Sequence, residues 1–366
     1  MAEVTASSKF ACPACGAEAT WNPGKKSLVC GFCGTVSPVE LKTEGEVVEH
    51  DLHAVLSSLK GRETGLDRPS IEVKCQSCQA ISEFEPNRVA QNCEFCGSAS
   101  LVPYEDVKEL IRPESLLPMK VSETRVREDM RRWYGSRWFA PNALGRKAMT
   151  DTLRGLYIPY WTFDAQVHAA WTAESGTYYY TTESYTENGQ RKTRQVRHTR
   201  WSYASGELDH FFDDHLICGS KGVHPKLLRE VEPFPTKEAV PYDSGYLAGF
   251  VVERYQVDLG TAAQVSRAAM EDATRALCSE QVPGDTQRNL QTQQHFTAQT
   301  FKHVLAPLWL LTYQYHGKPF QVVVNGHTGK IAGEHPLSWV KIFFASMAAL
   351  IVVIVVIVVI ALIGSE

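Results

Sequence analysis

Eight of the ten cysteines in this 366-residue chain stand in CxxC pairs. Cys12-x2-Cys15 is followed after 14 residues by Cys30-x2-Cys33. Cys75-x2-Cys78 is followed, again after 14 residues, by Cys93-x2-Cys96. A CxxC turn presents two thiolates from one side of a knuckle, and a hairpin of this length brings a second knuckle round to close a tetrahedron. Cys12, Cys15, Cys30, Cys33 and Cys75, Cys78, Cys93, Cys96 are therefore expected to hold two structural Zn2+ ions. Four thiolates leave no open position for water, so neither site is expected to be catalytic. Disulfides would need an oxidising compartment. A redox CxxC opens a helix in a βαβ unit and does not occur as four matched copies.

A shift of 63 residues superposes the two sets without a gap: Trp21 falls on Phe84, Pro23 on Pro86, Phe32 on Phe95 and Gly34 on Gly97. The segment is an internal duplication of one small module. Such a module has too little apolar core to fold alone, so metal binding is expected to supply its folding free energy. Cys218 and Cys278 have no CxxC partner and are expected to be small buried hydrophobes. His50 and His53, between the two sets, would be surplus as ligands and are expected to be solvated or to cap a helix.

Other chemistry is sparse. Gly24-Lys25-Lys26-Ser27 resembles the end of a phosphate-binding loop, but the earlier glycine is missing. No HExxH, GxSxG or GxGxxG occurs. Asp209, His210, Asp213, Asp214 and His215 could bind a divalent metal or do acid/base work, although a capped, solvated turn is the expected reading. No catalytic residue and no small-molecule cofactor is expected, and the protein is not expected to be an enzyme.

The formal charge of −4, from 37 Lys+Arg against 41 Asp+Glu, argues against a globally basic DNA-coating protein. An apolar content of 44% argues against disorder. The exceptional segment is Ile342–Ile363: 22 residues without a charge, of which Ser346 alone is not apolar. As a helix it would span about 33 Å, enough to cross a hydrocarbon core of about 30 Å. Gly364, Ser365 and Glu366 follow it, so a tail anchor is expected. The N-terminal residues carry no apolar signal-peptide core, and Lys341 precedes the span. The expectation is a single-pass protein of the inner (cytoplasmic) membrane with its soluble domains in the cytoplasm.

The positioning elements read as α+β. Residues 9–40 and 71–103 are the zinc ribbons, with a helical spacer over 41–70. Residues 104–155 form a helical segment, and 156–335 a mostly antiparallel β domain with one long helix. A short join over 336–341 leads to the transmembrane helix over 342–363. Val48, Leu52, Val55, Leu56 and Leu59 give the spacer its helical period. Between 120 and 154 two helical pieces are expected, capped by Ser122 and Asn142, with a stripe of Val126, Met130 and Trp133. Nine Lys/Arg oppose four Asp/Glu there. That excess reads as a solvated face beside Trp133, Tyr134, Trp138 and Phe139, or as a surface for anionic lipid or nucleic acid.

Asn188-Gly189 predicts a hairpin between strands around 177–185 and 195–203. Its return strand carries Arg191, Lys192, Arg194, Arg197 and Arg200 beside Tyr178, Tyr179, Tyr180 and Trp201. Tyr246–Val257 reads as a strand, and Leu259–Cys278 as an Ala-rich helix with Val265, Ala269, Ala273, Ala276 and Leu277 on one side. Leu308–Tyr315 and Phe320–Val324 read as a second hairpin.

The ribbons, with RWFAPNAL (137–144), GLYIPYWTFDA (155–165), VPYDSGYLAGFVVERYQVDL (240–259), TFKHVLAPLWLLTYQY (300–315) and VNGHTGKIAGEHPLSWVKI (324–342), resemble a bacterial family. It comprises membrane-anchored double zinc-ribbon proteins often labelled "primosomal protein N′ (replication factor Y), superfamily II helicase". A nucleotide-binding motif that could power a helicase is missing. The chain is also similar to zinc-ribbon membrane adaptors of phage-shock-type operons. That resemblance implies a non-enzymatic adaptor that holds protein partners, phage-shock-type proteins among them, at the cytoplasmic face of the membrane. The family pattern maps onto the eight cysteines and the membrane segment, and Cys75-Gln76-Ser77-Cys78-Gln79 departs from the usual CPxCG knuckle. The alternative function is a membrane-tethered nucleic-acid-binding protein. Bases are few between the ligands: Lys25 and Lys26 within Cys12–Cys33, Arg88 within Cys75–Cys96.

Overall fold

Aromatic and β-branched residues dominate from Tyr157 to Tyr203, and this stretch builds two very long strands. A computed structural model describes residues 10–36, 41, 47–58, 71–76, 78, 80–84, 92–95, 98–103, 111–141, 153–187, 190–315 and 318–363. The strands are β1 (Ala19–Asn22), β2 (Ser27–Cys30), β3 (His50–Asp51), β4 (Ile71–Cys75), β5 (Ile81–Phe84), β6 (Leu101–Pro103) and β7 (Ser115–Leu116). They continue with β8 (Leu153–Glu187), β9 (Gln190–Cys218), β10 (Val240–Pro241), β11 (Val251–Glu253), β12 (Thr286–Tyr315), β13 (Lys318–Asn325) and β14 (Ile331–Gly333). The helices are α1 (Leu52–Ser58), α2 (Glu123–Gly135), α3 (Pro225–Val231), α4 (Leu259–Gln281) and α5 (Trp339–Ile363).

The chain is mixed α and β, and mostly sheet. β1 and β2 pair only with each other, whereas the other twelve strands form one sheet with the path β10-β7-β12-β8-β11-β5-β4-β6. β9 joins β8, β3 and β13 join β12, and β14 joins β13. The pairings are antiparallel except β11 with β8 and β12 with β7.

Globular strands usually run 3–10 residues; β8, β9 and β12 have 35, 29 and 30. Fully extended, β8 would reach about 115 Å. Register shifts between Arg288/Gln291 and Thr297/Thr300 coincide with positive φ at Asn289 and Ala298. The shift opposite Phe163/Ala165 coincides with positive φ at Asp214. An extra residue at each point bends the strand and raises its twist, which lets such long strands coil.

Alternation along β8 decides what packs where. Trp161, Phe163, Ala165, Val167, Ala169, Trp171 and Ala173 are buried on one face, and α4 lies across it with Leu259, Ala262, Ser266, Met270, Thr274 and Cys278. This is not the face that apolar content picks out: Val265, Ala273 and Ala276 are exposed. A helix seated closely on alanines favours small or self-satisfied residues. Ser266 Oγ bonds His215 Nδ1 at 2.8 Å, and Thr274 Oγ1 donates to Met270 O at 2.7 Å.

Past Gly176, where β12 ends its pairing, β8 and β9 continue alone to the pair Glu187↔Gln190. The turn residues Asn188 and Gly189 lie outside the described residues. At the other end, two clusters built around Tyr157, Leu305, Trp309 and Val324, and around Ile158, Leu308, Leu310 and Val323, form the main core.

Other expectations are refined. The expected spacer helix is present as α1, and it is tied to the body: His50–Asp51 pairs with Thr300–Phe301, and Leu52 and Val55 join the core beneath α4. Tyr246–Val257 divides into a 3-10 turn, Ser244–Leu247, and the short β11, because β11 is wedged between β8 and β5. The expected 308–324 hairpin is present, but its first strand begins at Thr286. Ser122 caps α2, whose buried stripe is Val126, Met130 and Tyr134, with Trp133 half-buried. Asn142 and most of the second expected helical piece lie outside the described residues.

The 19 residues Trp339–Ile357 of α5 have mean hydropathy 2.8, and none of the stretch is buried. The helix is long and apolar enough to cross a membrane.

Candidate metal centres and an acidic cluster

The thiols of Cys12, Cys15, Cys30 and Cys33 lie within 4.8 Å of one another. Cys12 Sγ is 3.5 Å from Cys33 Sγ, and Cys15 Sγ is 3.5 Å from Cys30 Sγ. A disulfide would bring sulfurs to about 2.05 Å, whereas a tetrahedron with metal–sulfur bonds of about 2.3 Å has edges of about 3.8 Å. The spacing fits the second case, and the nine described cysteines are all free thiols. Cys75, Cys78 and Cys93 form the matching group, with Cys78 Sγ 3.6 Å from Cys93 Sγ. Cys96 lies outside the described residues. Both groups could hold a metal ion.

The backbone repeats the duplication bond for bond. Cys12 N donates to Ala17 O at 2.7 Å and Cys30 N to Thr35 O at 2.9 Å. Sixty-three residues on, Cys75 N donates to Ala80 O at 2.9 Å and Cys93 N to Ser98 O at 2.7 Å. In the first ribbon Gly16 and Gly34 follow their CxxC at φ +75°, the left-handed conformation that turns each knuckle back on itself.

Electrostatics in the first site favour a bound cation. The Thr35 hydroxyl and amide hold the Cys33 thiol down at about 6. The Ala17 amide also lowers Cys15, but the Cys33 sulfur, desolvation and the sulfurs of Cys30 and Cys12 outweigh it and push that thiol up to about 12. The Cys33 thiolate thus suppresses ionisation of Cys15, and a positive charge beside them would let both ionise.

The remaining candidates are separated by strand alternation. Asp209 meets His168 at 3.0 Å, His210 packs edge-on to Phe212, and His215 bonds Ser266. Asp213 pairs with Lys237 at 2.9 Å. The segment is part of β9, not a turn, and of its five candidates only Asp213 and Asp214 come together, with Asp164. Lys302 Nζ lies 2.7 Å from Asp214 Oδ1 and 3.0 Å from Glu49 Oε1. Asp164 accepts from Asp214 N and from Thr300 Oγ1. Burial pushes Asp164 up to about 6. Lys302 thus places a positive charge on Asp214 within a carboxylate group that could also hold a metal ion. Sequence reasoning missed Asp164, Lys302 and Glu49, although a charged pair inside the apolar strands β8 and β12 was a visible signal.

His50 bonds Glu114 at 3.0 Å and His53 meets Gln299 at 3.2 Å, both away from the thiols. Cys278 is buried, Cys218 partly so, and burial pushes the Cys218 thiol up to about 12 and that of Cys278 upward. On the β8–β9 arm, Arg197 lies 4.3 Å over Tyr178, Arg200 5.6 Å over Tyr179 and Arg194 5.7 Å over Tyr185. A cleft of about 420 Å3 separates Trp21 and Pro23 from Ser122, Arg154, Phe250 and Trp309, and Arg154 is engaged by Glu94 at 2.7 Å.

The chain is 23% identical over 343 residues to the uncharacterized protein YdjG of Bacillus subtilis (strain 168), with 91% of each chain covered. No family model and no solved structure matches it.

Proposed function

We propose that the protein is a non-enzymatic, membrane-anchored adaptor whose two four-cysteine ribbons each hold a structural Zn2+. The observation that carries this reading is a body with two uncovered ends. At one end the apolar stretch of α5 is left bare by the described residues. At the other the β8–β9 arm runs without a third strand from Gly176 to its tip. An isolated two-stranded ribbon is marginally stable in water, and this one exposes Tyr179, Tyr180 and Tyr185. A protein partner would cover it. Phe32, 84% exposed on the first ribbon, offers a second contact. In this reading α5 spans the inner membrane, the remainder is cytoplasmic, and phage-shock-type proteins are the partner class to test first.

Photo-crosslinkers placed at Phe32 and Tyr180 in intact membranes should capture a protein, identified by mass spectrometry. Deleting residues 177–200 should remove the Tyr180 partner. A deletion that keeps every partner would rule the arm out as the docking surface. Metal analysis should return two zinc ions per chain.

Five Lys/Arg on the return strand against Glu183 and Glu187 favour a second reading, nucleic acid on the arm. Binding that weakens steeply with salt would support it.

A further inference from the structure

We propose that the loop 137–140 is a second membrane-contacting element, an aromatic and cationic collar that enters the headgroup layer of an anionic bilayer beside α5. The proposal rests on the reading that α5 spans the membrane. Trp138 is 82% exposed and Trp339 80%, and Phe139 and Leu337 are also exposed. Trp138 and Phe139 stack with ring centroids 6.5 Å apart. The expected aromatic core of Trp133, Tyr134, Trp138 and Phe139 is therefore split. The first two pack against the body, and the last two turn outward.

What covers the outward pair follows from where it is fastened. Lys341 Nζ donates to Trp138 O at 3.0 Å and to Ala140 O at 2.7 Å, and Ser338 N donates to Phe139 O at 2.7 Å. These bonds hold the loop level with the first turn of α5, just before the uncharged stretch begins at Ile342. A bilayer that takes in that helix must meet Trp138 and Phe139 at its surface. Tryptophan suits that depth, since its ring is apolar and its N–H is polar.

The charges match the same partner. Arg131, Arg132 and Arg137 are exposed and Lys341 is half-buried, while no acidic residue occurs from Met130 to Pro141 or from His335 to Lys341. Arg132 is engaged by Asp129 and Arg137 lies over the Trp133 ring, leaving their outer faces toward the surface. Basic residues beside a span are drawn to anionic headgroups. The loop thus adds a second fixed point, and with α5 it would set the tilt of the whole body on the membrane.

The test uses the full chain in liposomes of phosphatidylcholine doped with phosphatidylglycerol and a lipid carrying a photoreactive diazirine near its headgroup. Crosslinked residues are mapped by mass spectrometry. Crosslinks are expected at Trp138 or Phe139 as well as within 339–363. Omitting phosphatidylglycerol should lower the loop yield by about fivefold. The Trp138→Ser/Phe139→Ser variant should keep its thermal transition and lose the loop crosslink. Crosslinks confined to 339–363 overturn the collar and leave the anchor standing. Crosslinks at neither place overturn the anchor reading and the collar with it. A loop yield indifferent to phosphatidylglycerol overturns the cationic half of the proposal.

Discussion

The two ribbons are copies of one module, yet the same position has opposite fates in them. Phe32 in the first knuckle is 84% exposed; Phe95, 63 residues later, is fully buried. Around Phe95 the body is shaped to receive it. Its carbonyl accepts from Thr312 Oγ1 and Gln321 Nε2 at 2.7 and 2.8 Å. A side chain at Gly222 would meet its ring at 2.6 Å, so only glycine fits there. The residue before it, Glu94, pairs with Arg154, where the first ribbon has Gly31. The strands differ likewise: β5 pairs with β11 inside the main sheet, while β1 and β2 form a separate hairpin docked through Trp21. The repeat supplies two heads of one spacing. One became part of the framework, and the other kept its knuckle free.

That contrast is most severely tested at equivalent cysteines of the two candidate metal groups. Cys93→Ser is expected to destabilise the whole sheet by at least about 3 kcal/mol, because its ribbon contributes strands to it. Cys30→Ser should fray the first hairpin and leave the main transition cooperative. Chemical denaturation with hydrogen exchange on both variants separates the outcomes, and equal global losses would break the comparison.

The knuckle phenylalanines come next. Phe95→Ala should cost about 3–5 kcal/mol as a cavity in a packed core. Phe32→Ala should change stability by less than about 0.5 kcal/mol while weakening crosslinking at the first ribbon.

The acid response of the two regions is read against a shared background, and His303 sets part of it. Burial holds its imidazole down at about 4, with Nδ1 donating to Ile111 O. The unfolded chain takes up a proton below about 6.5 that the folded chain refuses until about 4. Stability is thus complete above about pH 6.5 and falls toward about pH 4, by up to about 3 kcal/mol. Urea midpoints at neutral pH and near pH 5 should show this slope flattened in His303→Asn.

The smallest effect concerns how the free ribbon is held. Trp21→Phe removes the 2.9 Å bond from Trp21 Nε1 to Met119 O, and should cost about 1 kcal/mol by thermal denaturation.

The two cysteine groups were legible in the sequence because their determinants are local: CxxC spacing and the 63-residue repeat, with left-handed glycines in the first group. The apolar α5 and the start of α2 were legible for the same reason, and so was the strand read as 320–324, which extends to Lys318–Asn325. The face of α4 was not, since Ser266 is satisfied by His215 on β9 and Thr274 by the Met270 carbonyl one turn back, and no apolar pattern marks either as buried. The first half of β12 is rich in Gln and Thr and has no apolar alternation; pairing with β8 makes it a strand. Nor does any local pattern tell Phe32 from Phe95, because the difference lies in what the rest of the chain places against them.

The long β8–β12 ladder has a mechanical consequence. A pull on the arm tip directed away from α5 passes along β8, across to β12, and through β13 and β14 to the helix. The ladder bonds lie perpendicular to the strands, so such a load shears them together instead of unzipping them one by one. A partner gripping the tip could be held under tension with the framework intact, and the weak link would be the grip itself.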